Sequence, residues 1–149
     1  FFSVRSPCFP QAKTSMAVQV QLARIIISEI TDNQVIYLKE LDGTRQFPIL
    51  IGFFEAKTID RRVTGGERPV RPLTHDLLLT ILEQLGASIE RIVICDLKES
   101  TYFAQLEIRH PGGVLKIDSR PSDAIAIAYS HTPAIPIFVD NEVMERASQ

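Results

Sequence analysis

Residues 114–130 read VLKIDSRPSDAIAIAYS, and this stretch contains the change from strand to helix that decides the fold. Its first part, Val114–Ile117, is rich in apolar residues and predicts a strand. Pro121 suits the first turn of a helix, so the next element is expected to begin near Ser119–Pro121. Ala124–Ala128 is apolar on every side, which predicts a deeply buried helix.

Strand patterns lie on both sides of this helix. Apolar and β-branched residues mark six further segments, which are Val18–Ile27, Val35–Leu38, Arg45–Ile51, Ile89–Leu97, Tyr102–Ile108 and Ile135–Val139. The pair Asp42-Gly43, between the second and third of these segments, is typical of a β-hairpin. The chain therefore opens with an antiparallel meander of three strands.

Two helices are predicted between the third and fourth of these segments. The first covers Phe53–Val63, where Ala56, Ile59 and Val63 form one apolar stripe. The second begins at Thr74 as its N-cap and ends before Gly86. Its predicted buried face consists of leucine and isoleucine side chains, at Leu77, Leu78, Ile81, Leu82 and Leu85.

The resulting element order is βββαα-βββα-β, with a tail from Asn141 that forms at most a helical turn or two. Runs of strands followed by helices indicate an α+β fold with a mostly antiparallel sheet. The length of 149 residues suits one domain. Residues 1–15 contain two basic residues and no acid, and we treat them as an N-terminal appendage that is disordered or non-native. Residues 16–149 then form the single domain.

Composition and motifs exclude several classes of protein. The chain has 16 basic and 18 acidic residues and a net charge of −2, which argues against tight, charge-driven binding of nucleic acid. It lacks a P-loop, G-x-G-x-x-G, G-x-S-x-G and H-E-x-x-H, the motifs of NTPases, dinucleotide enzymes, one class of serine hydrolases and zincins. Two cysteines without a C-x-x-C favour a reducing, cytoplasmic compartment. No apolar run reaches the ~18 residues of a membrane span.

Three segments place polar residues where a strand or loop enters a helix. Such positions suit anions, because helix N-termini present unpaired N–H groups. In the last segment, Asp118, Ser119, Arg120, Ser122 and Asp123 surround the start of the apolar helix. Either these residues cap the helix, or Arg120 and the helix N-terminus hold a phosphate while Asp118 and Asp123 bind a divalent metal ion.

The middle segment contains Arg71, Thr74, His75 and Asp76. Asp76 in the first helical turn is favoured by the helix dipole, whereas a protonated His75 is not. His75 is therefore either a neutral, hydrogen-bonded residue or a general base or phosphate contact. The other two histidines, His110 and His131, are expected to be loop residues.

In the first segment, Glu55 lies in the first turn of the first helix, where it either complements the helix dipole or joins a site. A basic run follows on the same helix. It is expected to be a solvated face, or otherwise a contact for a partner or a phosphate, and consists of Lys57, Arg61 and Arg62.

Together the three segments resemble the bifunctional nuclease (BFN) domain family. The matching stretches are Phe47–Gly52 running into Glu55-Ala56, then Arg71–Leu78, then Asp118–Ala126, and the likeness covers Val18–Val143. The resemblance implies an α+β domain, and nuclease activity on both DNA and RNA as described for plant members. The chain keeps the polar positions of these motifs, which are Glu55, Arg71, Thr74, His75, Asp76, Asp118, Ser119, Arg120, Ser122 and Asp123.

This resemblance leads to the hypothesis of a metal-assisted phosphodiesterase with relaxed preference between DNA and RNA. Asp76, Asp118 and Asp123, with Glu55 as a fourth ligand, would hold one or two Mg²⁺ or Mn²⁺ ions that activate water. His75 would act as a base or contact the phosphate. The phosphate-binding residues would be Arg71, Thr74, Ser119, Arg120 and Ser122.

The alternative is a non-catalytic binding or regulatory module. The same residues would then cap helices and close a polar network, and the function would lie in a self-associating surface or a small anionic ligand. Geometry separates the two hypotheses. The enzyme requires two or three of the carboxylates to converge in an open cleft, whereas the module places each beside a backbone N–H or an arginine. We expect a homo-oligomer.

Overall fold

The computed structural model describes residues 16–67 and 69–148, so the appendage predicted for residues 1–15 lies outside the described residues. The predicted order βββαα-βββα-β is confirmed, with one more helix at the end. The elements are β1 (Ala17–Ile26), β2 (Asn33–Glu40), β3 (Gln46–Gly52), α1 (Phe53–Thr64), α2 (Thr74–Gln84), β4 (Ser88–Lys98), β5 (Thr101–His110), β6 (Gly113–Ser119), α3 (Pro121–Ser130), β7 (Ile137–Asp140) and α4 (Asn141–Ala147).

The described strands form one sheet in the order β3-β2-β1-β7-β4-β5-β6. All neighbouring pairs are antiparallel except β4 and β7, which confirms the prediction of a mostly antiparallel α+β fold. The short strand β7 joins two three-stranded meanders: Val139 lies opposite Val18 of β1 and opposite Ile94 of β4. A strand from the C-terminal part of the chain is thus the central strand of the sheet.

Helices α1 and α3 pack on the sheet and enclose the core. In α1, Ala56 and Ile59 are fully buried as predicted, whereas Val63 is 47% exposed. The apolar stripe continues past the core because Val63 lies in the last turn, just before Gly65 ends the helix in the left-handed conformation at φ 71°. Helix α3 buries Ala124–Ala128 together with Pro121 and Ser122, while Asp123 is half-buried.

The predicted burial of α2 is wrong, because none of its residues is buried. Of the predicted face only Leu82 packs against the core, beside Leu79, which was not predicted. The other side chains of the predicted face are exposed, at Leu77, Leu78, Ile81 and Leu85. Helix α2 packs mainly on α3 and β4, and its outer flank is left exposed in the single chain. The periodicity found an apolar stripe on α2, but it did not identify the side of the helix that meets the core.

The two ends of α2 differ in how well they were predicted. The N-cap is Leu73 rather than Thr74, and the side chain of Asp76 accepts a hydrogen bond from the backbone N–H of Leu73 at 2.9 Å. Asp76 therefore satisfies the backbone N–H of the N-cap residue itself, whereas Thr74 was expected to accept from an N–H inside the first turn. At the other end, Gly86 has φ 74° and follows the C-cap, as predicted.

Strand β6 has two chemically different faces. Leu106 and Ile108 of β5 are buried in the core beside the helices, and they lie opposite Ile117 and Leu115 of β6. Residues directly opposite each other share a face of the sheet. Leu115 and Ile117 therefore point to the helix side, whereas the alternating residues of β6 point to the other side.

Candidate functional site

The first turns of three helices meet at one polar cluster, which consists of Glu55, His75, Arg120 and Asp123. Glu55 belongs to α1, His75 to α2 and Asp123 to α3, and Arg120 is the N-cap of α3. Arg120 Nε donates to Asp123 Oδ2 at 2.8 Å, and its Nη2 lies 3.5 Å from Glu55 Oε1. His75 Nε2 lies 3.3 Å from Asp123 Oδ1.

Local structure explains why these side chains meet. Strand β3 ends at Gly52, where an added Cβ would collide with the Glu55 carboxylate, so glycine lets this carboxylate lie against the backbone. Strand β6 ends at Ser119, and Pro121 then starts α3 at its first turn. Arg120 between them has extended backbone angles and stays outside the helix.

Asp123 links the arginine to the histidine. Burial alone would raise the pKa of Asp123, but hydrogen bonds from Arg120 and His75 outweigh it and hold that pKa below its usual value. The carboxyl group is therefore ionised at neutral pH and can only accept hydrogen bonds. His75 must then donate from Nε2, which in a neutral ring leaves the lone pair on Nδ1.

Arg120 is the cation of the polar cluster, and its side chain is 65% exposed, so an anion in solvent can reach it. The hydrogen bond to Asp123 raises the pKa of Arg120, so the guanidinium stays charged. Three helix N-termini add partial positive charge around it. The arrangement combines an exposed cation with a histidine held by a carboxylate, and this combination suits an anionic substrate that requires a proton transfer.

Asp76 is next to His75 in the sequence but belongs to a different ion pair. It accepts from Arg62 Nη2 of α1 and from the N–H of Leu73. Arg62 is only 12% exposed, so the interpretation of this residue as part of a solvated helix face is wrong. The basic run included Arg62, but its ion pair was not predictable because the partner lies 14 residues away on another helix, and no local spacing reveals such a pair.

Asp118 lies on the opposite side of the sheet from the polar cluster. It faces Gln105 of β5, which alternates with the core residues of that strand. Its Oδ1 is buried without a hydrogen-bond partner among the described residues. Asp118 and Asp123 are five residues apart in the sequence but lie on different faces of the sheet, because β6 ends and α3 begins between them.

The predicted metal ligands are therefore not brought together. Among residues 16–67 and 69–148, no three His, Cys, Asp or Glu side chains are grouped so that they could hold a metal ion. Asp76 and Asp123 are each engaged by an arginine, and Asp118 is on the other face of the sheet. These three carboxylates do not fit a shared metal site.

The remaining predicted residues lie around the cluster without joining it. Arg71 and Thr74 are exposed at the start of α2, and Ser122 is buried in α3. The hydroxyl of Ser119 donates to the carbonyl of Arg120 at 2.9 Å and so supports the entry into α3.

The domain of the bifunctional nuclease family matches residues 35–149, a range that contains all four residues of the polar cluster. The chain belongs to the bifunctional nuclease domain family. It is also similar to uncharacterised proteins in two strains of Mycobacterium tuberculosis. Each is 36% identical over 129 residues, which is 87% of this chain and 75% of the relative.

Membership of this family confirms the resemblance that the three sequence segments indicated. In this member of the bifunctional nuclease domain family, no helix within the described residues is long and apolar enough to cross a membrane.

The other two histidines lie outside the polar cluster. His110 is the last residue of β5, and its Nδ1 accepts from the N–H of Gly112. His131 follows α3, and its Nδ1 lies 2.8 Å from the carbonyl oxygen of Pro133. Both histidines make local backbone contacts, and His75 is the histidine of the cluster.

Proposed function

We propose that this bifunctional nuclease domain is a nuclease that cleaves phosphodiester bonds of DNA and RNA at the polar cluster. One observation carries the proposal, namely that Asp123 bridges His75 and Arg120 where three helices begin. A phosphodiester carries a negative charge, and its hydrolysis requires a proton to leave the attacking water. The cluster contains a group for each of these requirements.

Arg120 is the residue that would bind the phosphate. Its exposed guanidinium presents donors in a planar fork, which matches two oxygens of a phosphate. Glu55 and Asp123 hold the guanidinium from the protein side. The two carboxylates thus orient Arg120.

His75 is the residue that would take the proton from water. The water oxygen attacks phosphorus, the bond from phosphorus to the leaving oxygen breaks, and Nδ1 of His75 accepts the proton that the water loses. Asp123 fixes the ring through Nε2 and stabilises the imidazolium that forms. The leaving oxygen takes a proton from solvent.

A divalent metal ion, Mg²⁺ or Mn²⁺, stays a prediction. The carboxylates Asp76, Asp118 and Asp123 do not form its site, so no step above passes through it. An assay in Mg²⁺, in Mn²⁺ and in EDTA tests this prediction directly. The cytoplasmic location also stays a prediction.

A nuclease assay on protein of verified purity tests the proposal. Fluorescently labelled single-stranded DNA and RNA are incubated with wild type, His75→Gln and Asp123→Asn, each shown by circular dichroism to be folded. Since a positioned general base contributes about 10²–10⁴-fold, we expect His75→Gln to lower cleavage by about 100-fold or more. Asp123→Asn is expected to lower it less, because the ring remains present but is held less well.

His131→Gln is the matched control, since His131 is exposed and its ring contacts a local carbonyl. It should retain wild-type cleavage within about twofold, since it belongs to no catalytic step. Equal cleavage by wild type and folded His75→Gln would contradict the proposal, because it would assign the activity to another site or to a contaminant.

One observation favours the non-catalytic module. The carboxylates of Glu55, Asp76 and Asp123 each contact an arginine, which is the arrangement predicted for a structural network. If no condition yields cleavage, the cluster would serve as a site for a small anion. A rise in melting temperature with inorganic phosphate in wild type but not in Arg120→Gln would support this function.

A further inference from the structure

Helix α2 begins and ends near the two ends of the edge strand β6. At its start, His75 contacts Asp123, which lies four residues after the end of β6. At its other end, a Cβ added to Gly86 would lie 3.8 Å from Pro111 Cγ in the turn just before β6. Both ends of the helix therefore lie near the two ends of the same strand.

The exposed flank of α2 turns toward this edge of the sheet. At 100° per residue, the exposed side chains of Leu77, Leu78, Ile81 and Leu85 form one stripe whose centre lies about 150° from Asp76. Asp76 faces Arg62 of α1, and α1 packs over β2 and β3 at the opposite edge of the sheet. The stripe thus lies on the β6 side of α2.

We define the apolar strip as this flank of α2 together with the helix side of β6. Leu115 and Ile117 of β6 point to the helix side and are both exposed, at 48% and 44%. The strip consists of Leu77, Leu78, Ile81, Leu85, Leu115 and Ile117. A run of this kind beside a free strand edge is typical of an interaction surface.

The two edges of the sheet differ in how open they are to another strand. Edge strand β3 contains Pro48, which has no N–H to offer to a further strand. Edge strand β6 has no proline. Its outer edge offers backbone donors and acceptors, with apolar side chains on one face.

The charges on the other face of β6 determine which partner strand, in which register, would be complementary. Lys116 and Asp118 alternate with the apolar residues, and neither forms an ion pair with another described residue. In an antiparallel pair of two β6 strands centred on Ile117, Lys116 of each copy lies opposite Asp118 of the other. Centring on Lys116 instead would place the two lysines opposite each other, and opposed like charges are destabilising.

We propose that a second copy of this chain docks on the apolar strip and pairs β6 with β6 in the antiparallel register centred on Ile117. The two-fold axis then passes beside Ile117, and each copy presents the same surface to the other. On the helix side, the two Ile117 side chains meet, and the α2 flanks of both copies extend the contact. On the other face, two Lys116–Asp118 pairs form.

Sedimentation equilibrium of the full chain tests the dimer. Wild type should sediment at twice its mass of 16.7 kDa. Ile117→Asp places two carboxylates together at the axis, and because like charges in an interface cost several kcal/mol, the dissociation constant should rise by ~100-fold or more. Leu50→Asp is the matched control on the other edge strand, where Leu50 is 66% exposed, and it should remain dimeric.

A mixing experiment tests the register. Lys116→Asp alone places Asp against Asp118 of the other copy, and Asp118→Lys alone places Lys against Lys116, so each variant should be monomeric. In a 1:1 mixture all four charges are complementary, and a heterodimer should form. Circular dichroism shows whether each variant is folded before mixing.

Three results would overturn the proposal. The first is a monomeric wild type at ~100 µM, and the second is equal dissociation of Leu50→Asp and Ile117→Asp. The third is a mixture of the two folded charge variants that stays monomeric. Because none of these outcomes depends on cleavage, failure of the dimer and failure of the nuclease proposal are distinguishable.

Discussion

Asp123 is the residue of the polar cluster through which pH affects the stability of the fold. Its pKa in the folded chain lies below the ordinary value of 3.8, because hydrogen bonds from Arg120 and His75 outweigh the opposing effect of burial. A carboxyl whose pKa is lowered by folding adds stability above the unfolded pKa, and this contribution is lost as pH falls through the folded pKa. The contribution of Asp123 is therefore fully present at pH 7.

We predict that Asp123→Asn lowers the free energy of unfolding at pH 7 by roughly 0.5–1 kcal/mol, a small value because the carboxylate is about one-third exposed. Urea unfolding at pH 7 and pH 3 measures the change. The difference between wild type and variant should shrink at pH 3, where the wild-type carboxyl is losing its charge. A difference of equal size at both pH values would show that charge is not the cause.

Sequence reasoning found the residues of the polar cluster, because each sits in or beside the first turn of a helix. Capping and dipole arguments apply to such positions: Glu55 and Asp123 follow them, and His75 was noticed because a protonated histidine is disfavoured there. It could not decide the position of Asp118, because a strand and a helix with a boundary between them send nearby residues to different faces. It also could not find the ion pair of Arg62, which depends on how α1 and α2 pack.

At the scale of elements, the apolar stripe of α1 includes one buried and one exposed residue, whose contributions to stability can be compared. Ile59 is fully buried, whereas Val63 one turn later is half exposed. We predict that Ile59→Ala lowers the free energy of unfolding by about 3 kcal/mol, because it removes buried methyl groups and leaves a cavity.

Val63→Ala is the control for Ile59→Ala and should cost less than about 1 kcal/mol. Thermal or urea unfolding of both variants measures the two values. Similar losses at the two positions would show that the apolar stripe of α1 is buried along its whole length.

Element order and type were predictable because each strand and helix carries its own apolar period and its own turn residues. The exposure of α2 was not predictable from the sequence, and the reason is physical. An apolar stripe shows which side of a helix can be buried, but a stripe that packs in the core and a stripe that packs in an interface have the same pattern. Leu85 and Ile81 satisfy the same pattern as Ile59 and yet are exposed in the single chain.

At the scale of the whole molecule, the sheet depends on β7. This strand has four residues, yet it bonds to β1 on one side and to β4 on the other. We predict that the amides of β7 exchange with deuterium as slowly as those of β2, because both are interior strands that open only when the sheet unfolds.

Hydrogen exchange followed by mass spectrometry measures this protection. If β6 pairs with a second copy as proposed, exchange in β6, at the edge, should be faster in dilute protein and slower at high concentration. Fast exchange in β7 at all concentrations would contradict its role as the interior strand that joins the two meanders.

The position of β7 also has a consequence for synthesis of the chain on the ribosome. The first meander and α1 emerge early, and the second meander follows, but the strand that joins them comes after both. Until residues 137–140 have left the exit tunnel, β1 and β4 both expose an unpaired edge that belongs in the interior of the sheet. A nascent chain whose two meanders fold before β7 pairs would have two half-sheets and four open edges, and this is the stage at which a chaperone would protect it best.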